Sequence, residues 1–163
     1  MKEKGNLVIT VGLPRSGKST WIEENKDKTD AIVISNDWIR ENILGTHYHK
    51  ASNAIVWTIS DASLRILLSQ GKTVILDGAN HTKSVRKFFV DIAKEYDAGI
   101  KMVMFKTPLI NCIYRNNKSE KLPEEVLRKM DEEFEDPTLE ECDYIELIRE
   151  STRYYEEEIQ SGR

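Results

Sequence analysis

The chain has 163 residues, 39% hydrophobic and 32% charged, which is enough aliphatic material for one domain with its own core and excludes a disordered polar chain. A formal net charge of −4 excludes a broadly basic nucleic-acid-coating surface, so any contact with nucleic acid has to be local. No apolar run reaches the roughly 18–20 residues that span a bilayer, so no membrane partner is expected. The opening Met1-Lys2-Glu3-Lys4-Gly5 lacks the apolar core and cleavage site of a signal peptide. Cys112 and Cys142 have neither metal-ligand spacing nor a disulfide framework. The expected compartment is the cytoplasm.

Two periodicities alternate along the chain. Leu7-Val8-Ile9-Thr10-Val11 is a short apolar run that stops at Gly12. Residues 32–34, 74–76 and 100–105 form similar runs, and short continuous β-branched runs suit strands buried on both faces of a parallel sheet. Residues 144–148 fit a fifth strand or a helix equally well. Helical spacing lies between the runs. Residues 20–24 follow the first run as a helix candidate. Ile55, Ile59, Ala62 and Ile66 recur at three and four residues with Leu67 beside them, and Gly71 stands where a helix C-cap glycine would. Val85, Phe88, Phe89, Ile92, Ala93 and Tyr96 make a second stripe. Val126, Leu127, Met130 and Phe134 make a third after Pro123, a good first-turn residue. These stripes are expected to be core. Strand–helix alternation without a linker or repeat predicts one three-layer α/β domain over residues 1–163.

Gly12-Leu13-Pro14-Arg15-Ser16-Gly17-Lys18-Ser19 fits G-x-x-x-x-G-K-[ST] in full, and an accidental match in a chain of this length has a chance on the order of 1%. Strand before and helix after is the confirming context. Such a loop points backbone N–H groups inward around phosphate oxygens, and the helix N-terminus adds partial positive charge. Lys18 is expected to bridge the β- and γ-phosphates of ATP, Ser19 Oγ to hold Mg²⁺, and residues 12–20, Thr20 included, to bind the nucleotide. No Asn-Lys-x-Asp guanine-reading motif is present, and the chain is short for a hexameric ATPase module with a helical lid domain. A small phosphotransferase with a separate acceptor pocket fits better.

Ser35-Asn36-Asp37-Trp38-Ile39-Arg40 follows the second run, so in a parallel sheet it faces the same edge as the phosphate loop. Asp37 can orient an acceptor hydroxyl and take its proton, and Arg40, three residues on, can hold a phosphate. Asp77 ends an apolar strand and is open to three readings: Mg²⁺ ligand through water, lid-positioning acid, or cap. Asn80 divides evenly between cap and catalyst. His47, His49 and His81 show no metal pairing. Trp38, Tyr48 and Trp57 can stack a base, although packing is the commoner use. Glu156-Glu157-Glu158 reads as a solvated helix face.

Taken in order, the P-loop through Thr20, Asp37-x-x-Arg40, Asp77-Gly78-Ala79-Asn80, Arg86, Arg115-Asn116-Asn117 and Phe134-Glu135-x-Pro137 resemble the phage and bacterial polynucleotide 5′-kinase family over roughly residues 6–150. The resemblance implies a P-loop kinase fold with a sheet of about five parallel strands and a helical lid at about residues 112–135. It also implies Arg115 as a lid arginine on the γ-phosphate, with Lys18, Asp37 and Arg40 as the other catalytic groups. It implies Mg²⁺-ATP as donor and a nucleic-acid 5′-hydroxyl end, DNA or RNA, as acceptor, in nucleic-acid repair. Departures fall at Ser119, where the family carries a second lid arginine that Lys118 or Lys121 would have to replace, at Ala79, where it carries Thr, and at Arg15, where a small residue is common. Three rival readings stay open: a small-molecule kinase for a nucleoside, sugar or antibiotic, a kinase of a modified-base hydroxyl, and a non-catalytic nucleotide-binding module.

Overall fold

Strands and helices alternate in the computed structural model, which describes residues 3–45, 52–119 and 122–150. In chain order they are β1 (Asn6–Val11), α1 (Lys18–Asn25), β2 (Ile32–Ser35), α2 (Asn36–Ile43), α3 (Asn53–Ser69), β3 (Thr73–Asp77), α4 (Lys83–Glu95), β4 (Gly99–Lys106), α5 (Leu109–Ser119), α6 (Glu124–Glu132) and β5 (Tyr144–Arg149). His47, Tyr48, His49, Lys121 and residues 156–158 lie outside the described residues.

The sheet has the order β2-β3-β1-β4-β5, and every pairing is parallel. β1 is central, with Leu7 opposite Val74 of β3 and Ile100 of β4. The second and third strands lie on one side of β1 and the last two on the other. The C-terminal end of β1 is therefore a topological switch point, where the edge of an open α/β sheet forms a crevice. Leu7, Ile9 and Val11 are fully buried against α3 and α4, through Leu64, Leu68 and Phe89. On the opposite face Trp21 of α1 meets Phe105 of β4 edge-on at 6.3 Å. Both faces of the sheet are thus covered, which is why its strands read as unbroken apolar runs. A second cluster of Leu13, Cys112, Ile113 and Leu127 joins the P-loop to α5 and α6.

The structure departs from the sequence reading in its helices, where Phe88 and Val126, both expected in the core, are exposed. α3 buries Val56, Ser60, Leu64 and Leu68, not the expected stripe, and Ile55 and Ile66 are exposed. A serine inside the buried row hides it from a hydrophobic count; its hydroxyl is satisfied by donating to Asn36 Oδ1 at 2.8 Å. Pro123 stands one place earlier than expected, as the N-cap of α6. Residues 144–149 are a strand, because β4 offers an edge in register, Met102 opposite Ile145 and Met104 opposite Leu147. Gly71 follows α3 with φ 73°, as the C-cap pattern requires. Among the described residues no helix is long and apolar enough to cross a membrane.

Candidate active site

The P-loop closes between β1 and α1. Gly12 has no room for a side chain, since a Cβ there would lie 2.6 Å from Ser16 Oγ and 2.9 Å from Phe105 Cβ. Gly17 sits at φ 100° and gives α1 no side-chain cap, which leaves the first-turn N–H groups for an anion. Lys18 is buried, and its ammonium donates to the carbonyl oxygens of Gly12 at 3.0 Å and Leu13 at 2.6 Å. Burial pushes that ammonium down to about 8, against the pull of Asp77, Cys112 and Asp37. Ser19 and Thr20 are exposed on the first turn of α1. Leu13 is core, Pro14 half-buried, and Ser16 buried with its amide on Leu13 O at 3.2 Å. Arg15 takes a left-handed φ of 69°, and its carbonyl accepts from Arg115 Nη1 at 3.0 Å. Thr107, at the end of β4, ties the loop from the other side by donating to Ser16 O at 2.8 Å.

The turn after β3 is architecture. Ala79 O accepts from the Gly12 amide at 2.9 Å, a backbone contact that alanine makes as well as threonine. Asn80 is buried at φ 45° and donates through Nδ2 to Thr10 O at 2.9 Å, so it is a turn residue. Arg86 is fully buried. It donates to both carboxylate oxygens of Glu141 at 2.8 and 3.3 Å, to Asn80 O at 3.0 Å and to Glu135 O at 2.8 Å. Burial alone would raise Glu141, but the Arg86 guanidinium and the Thr138 amide hold it below the usual carboxylate range. Asp77-Gly78-Ala79-Asn80, Arg86 and Phe134-Glu135-x-Pro137 thus meet in one strap behind the P-loop. Glu141 was missed from sequence, having no motif around it.

The acceptor-side residues stand at the end of β2. Ser35 caps α2, its hydroxyl accepting from the Trp38 amide at 3.3 Å, and it lines the same cleft as Asp77. Asp37, on the first turn of α2, keeps 81% of its side chain exposed and pairs with Arg40 at 2.8 Å. Arg40 also donates to Asn53 Oδ1 of α3 at 3.2 Å. The Asp37 charge is felt at both Lys18 and Asp77, which places it toward the P-loop. Asp77 is raised, chiefly by burial, with the nearby Ser35 hydroxyl and Lys18 opposing. A cleft of about 440 Å³ runs between α1 and α2, with Ser19 and Asp77 lining it beside Trp38 and Ser35. A hydroxyl and a carboxylate are hard oxygen donors, so Ser19 and Asp77 suit Mg²⁺ by ligand chemistry. Trp57 stacks on Phe89 at 5.2 Å and belongs to the core instead.

On the β4 side, Arg115 of α5 is part-buried. Besides Arg15 O it pairs with Glu150, just past β5. Asn116 donates to Leu122 O at 2.7 Å and fixes the entry to α6. Ser119 donates back into its own helix, to Arg115 O and Asn116 O. Lys118 lies over the Tyr114 ring at 4.2 Å. Burial pushes the Cys112 thiol up to about 11, so it is no nucleophile. His81 is lowered by burial against the pull of Glu133.

A family model described as AAA domain matches residues 7–137. The chain belongs to that family. The L-seryl-tRNA(Sec) kinase of Methanococcus maripaludis is 29% identical over 164 residues, covering 88% of this chain and 64% of that protein. The bifunctional polynucleotide phosphatase/kinase of Schizosaccharomyces pombe is 27% identical over 147 residues, covering 85% of this chain and 32% of that protein. The chain therefore spans less than two thirds of the length of either relative. The APS kinase CysC of Mycobacterium tuberculosis, solved with AMPPNP and APS, superposes with a TM-score of 0.66 at 18% identity, over 98% of this chain and 97% of that one. That likeness is one of fold, and the fold is that of the P-loop kinases. The kinases among these matches are named for different acceptors: a seryl-tRNA, a polynucleotide and APS.

Proposed function

We propose that the chain is an ATP-dependent kinase that moves the γ-phosphate to a hydroxyl of a nucleic acid, most simply a 5′-hydroxyl end. The observation that carries this reading is the open cleft that Ser19 and Asp77 line together with Trp38 of α2, next in sequence to Asp37, whose exposed carboxylate stands outside the cleft lining. A relative named for a polynucleotide supports the acceptor class, and the seryl-tRNA kinase is named for an acceptor carried on an RNA.

In this mechanism residues 12–20 hold the triphosphate, and α5–α6 act as the lid of a single domain. Ser19 and Asp77 would hold Mg²⁺, which neutralises phosphate charge when bound. Asp37 accepts the proton of the acceptor hydroxyl. The hydroxyl oxygen bonds to the γ-phosphorus as the bond to the β-bridging oxygen breaks and ADP leaves. Lys18 turns from its loop carbonyls to the phosphates, and Arg115 turns from Glu150, so that both offset the spreading negative charge. Arg40 holds Asp37 in place and grips a phosphate beside the acceptor hydroxyl.

The net charge of −4 favours a second reading, a small-molecule kinase. Label transfer from γ-labelled ATP to a panel of 5′-hydroxyl oligonucleotides, nucleosides and sugars separates the two. The proposal expects the highest kcat/KM on an oligonucleotide; a higher value on a free nucleoside or sugar overturns it.

A further inference from the structure

Two of the three tryptophans whose surroundings are described have aromatic partners: Trp21 meets Phe105, and Trp57 stacks on Phe89. Trp38 has none among the described residues and leaves 58% of its surface exposed. Burying an indole is worth a few kcal/mol to a fold, so an indole left open in a cleft is available to a ligand. The backbone beneath it is fixed. The Trp38 amide donates to the Ser35 cap, and α2 is tied to α3 by the Ser60–Asn36 and Arg40–Asn53 hydrogen bonds.

The facing wall is one stripe of α1. Ser19, Ile22, Glu23 and Lys26 recur at three and four residues, and all four line the cleft. Ser19 and Lys26 are seven residues apart, which is about 10 Å along a helix axis. The cleft therefore has a phosphoryl end at Ser19 and Asp77, an apolar middle of Ile22 and Val33 facing Trp38, and an outer end where Lys26 pairs with Glu23 at 2.8 Å. A ring and its sugar laid end to end fit that order. A ring-free polyol would leave the indole and the two aliphatics against water.

We propose that Trp38 is a stacking platform for the planar ring of the acceptor, the terminal base where the acceptor is a nucleic-acid end. This rests on the kinase reading above and deepens it. Stacking uses the π-face that every base has, so the platform selects ring-bearing acceptors without reading which base they carry.

The test has an equilibrium arm and a kinetic arm. With the donor site filled by a non-hydrolysable ATP analogue, thymidine and a 5′-hydroxyl dinucleotide are titrated against tryptophan fluorescence. Wild type should be quenched, and Trp38→Phe should lose that quench while keeping most of the affinity measured by calorimetry. Trp38→Ala should bind both ligands about tenfold more weakly or worse. Kinetically, Trp38→Ala should lower kcat/KM by about tenfold through KM on an oligonucleotide with a terminal base, and by less than twofold when the 5′-terminal deoxyribose is abasic. An equal fall on both ends, or no quench by either ligand, overturns the platform. If nucleosides but no oligonucleotides are phosphorylated, and Trp38→Ala impairs that, the platform stands while the nucleic-acid reading fails. Preference for a ring-free sugar over every ring-bearing acceptor overturns the platform itself.

Discussion

Arg86 and Arg40 each meet a carboxylate at 2.8 Å, but the two pairs do opposite things. The Arg86–Glu141 pair is sealed, with side-chain exposures of 0% and 7%. The Arg40–Asp37 pair leaves its acid 81% exposed. In the first, one guanidinium serves both carboxylate oxygens and two backbone carbonyls, all of it sealed from solvent. In the second, the arginine is anchored to α3 and the acid faces solvent beside the P-loop. Distance alone does not tell a sealed ion pair from one whose acid is open to solvent; burial does.

The sharpest way to break this contrast is Arg86→Ala. It strands the buried Glu141 and two carbonyls behind the P-loop, and removal of one partner of a buried pair costs about 3–5 kcal/mol. Denaturant unfolding should show that loss, with kcat per folded molecule little changed. A loss in kcat at unchanged stability would make Arg86 a catalytic group. Next in size, Lys18→Ala should lower kcat by about 10²-fold or more with the fold intact, because its charge is wanted in the transition state. Steady-state transfer rates beside thermal unfolding check this, and activity within a few-fold of wild type would overturn the P-loop assignment.

Arg115→Ala should cost about tenfold or more in kcat, against less than twofold for Ser119→Ala, whose hydroxyl is spent on its own helix. An unaffected Arg115→Ala enzyme would place the lid charge elsewhere. The smallest effect is acid sensitivity of the strap. Glu141 is held below its ordinary 4.5, so its contribution is fully present above that pH and is lost as pH falls through the lower folded-state value. Urea midpoints of wild type and Glu141→Gln, compared from pH 6 to pH 3, should converge toward the acid end. A constant gap would mean the charge on Glu141 is not what holds Arg86.

Much of this was legible in the sequence because it is local. The P-loop is a contiguous string whose glycines are required by a missing Cβ and a positive φ, and the buried strands advertise themselves as apolar runs. The expected doubly covered parallel sheet follows from the same signal. The α3 face was misread because Ser60 sits in the buried row, and a hydroxyl satisfied across 24 residues by Asn36 leaves no trace in a local window. Glu141 was invisible for the same reason, its partner lying 55 residues away. Asn80 and Arg86 were visible as motif positions, but only the burial of their side chains assigns them to the scaffold.

In the proposed kinase α2 presents the general base while the P-loop holds the donor. Asp37→Asn tests it most directly, since the amide keeps the shape but cannot take a proton. ATP affinity by calorimetry and the single-turnover transfer rate should be measured on the same preparation. ATP affinity should stay near wild type while transfer falls by about 10²-fold or more. Collapse of ATP affinity with transfer per bound ATP preserved would contradict it and move Asp37 to the nucleotide side.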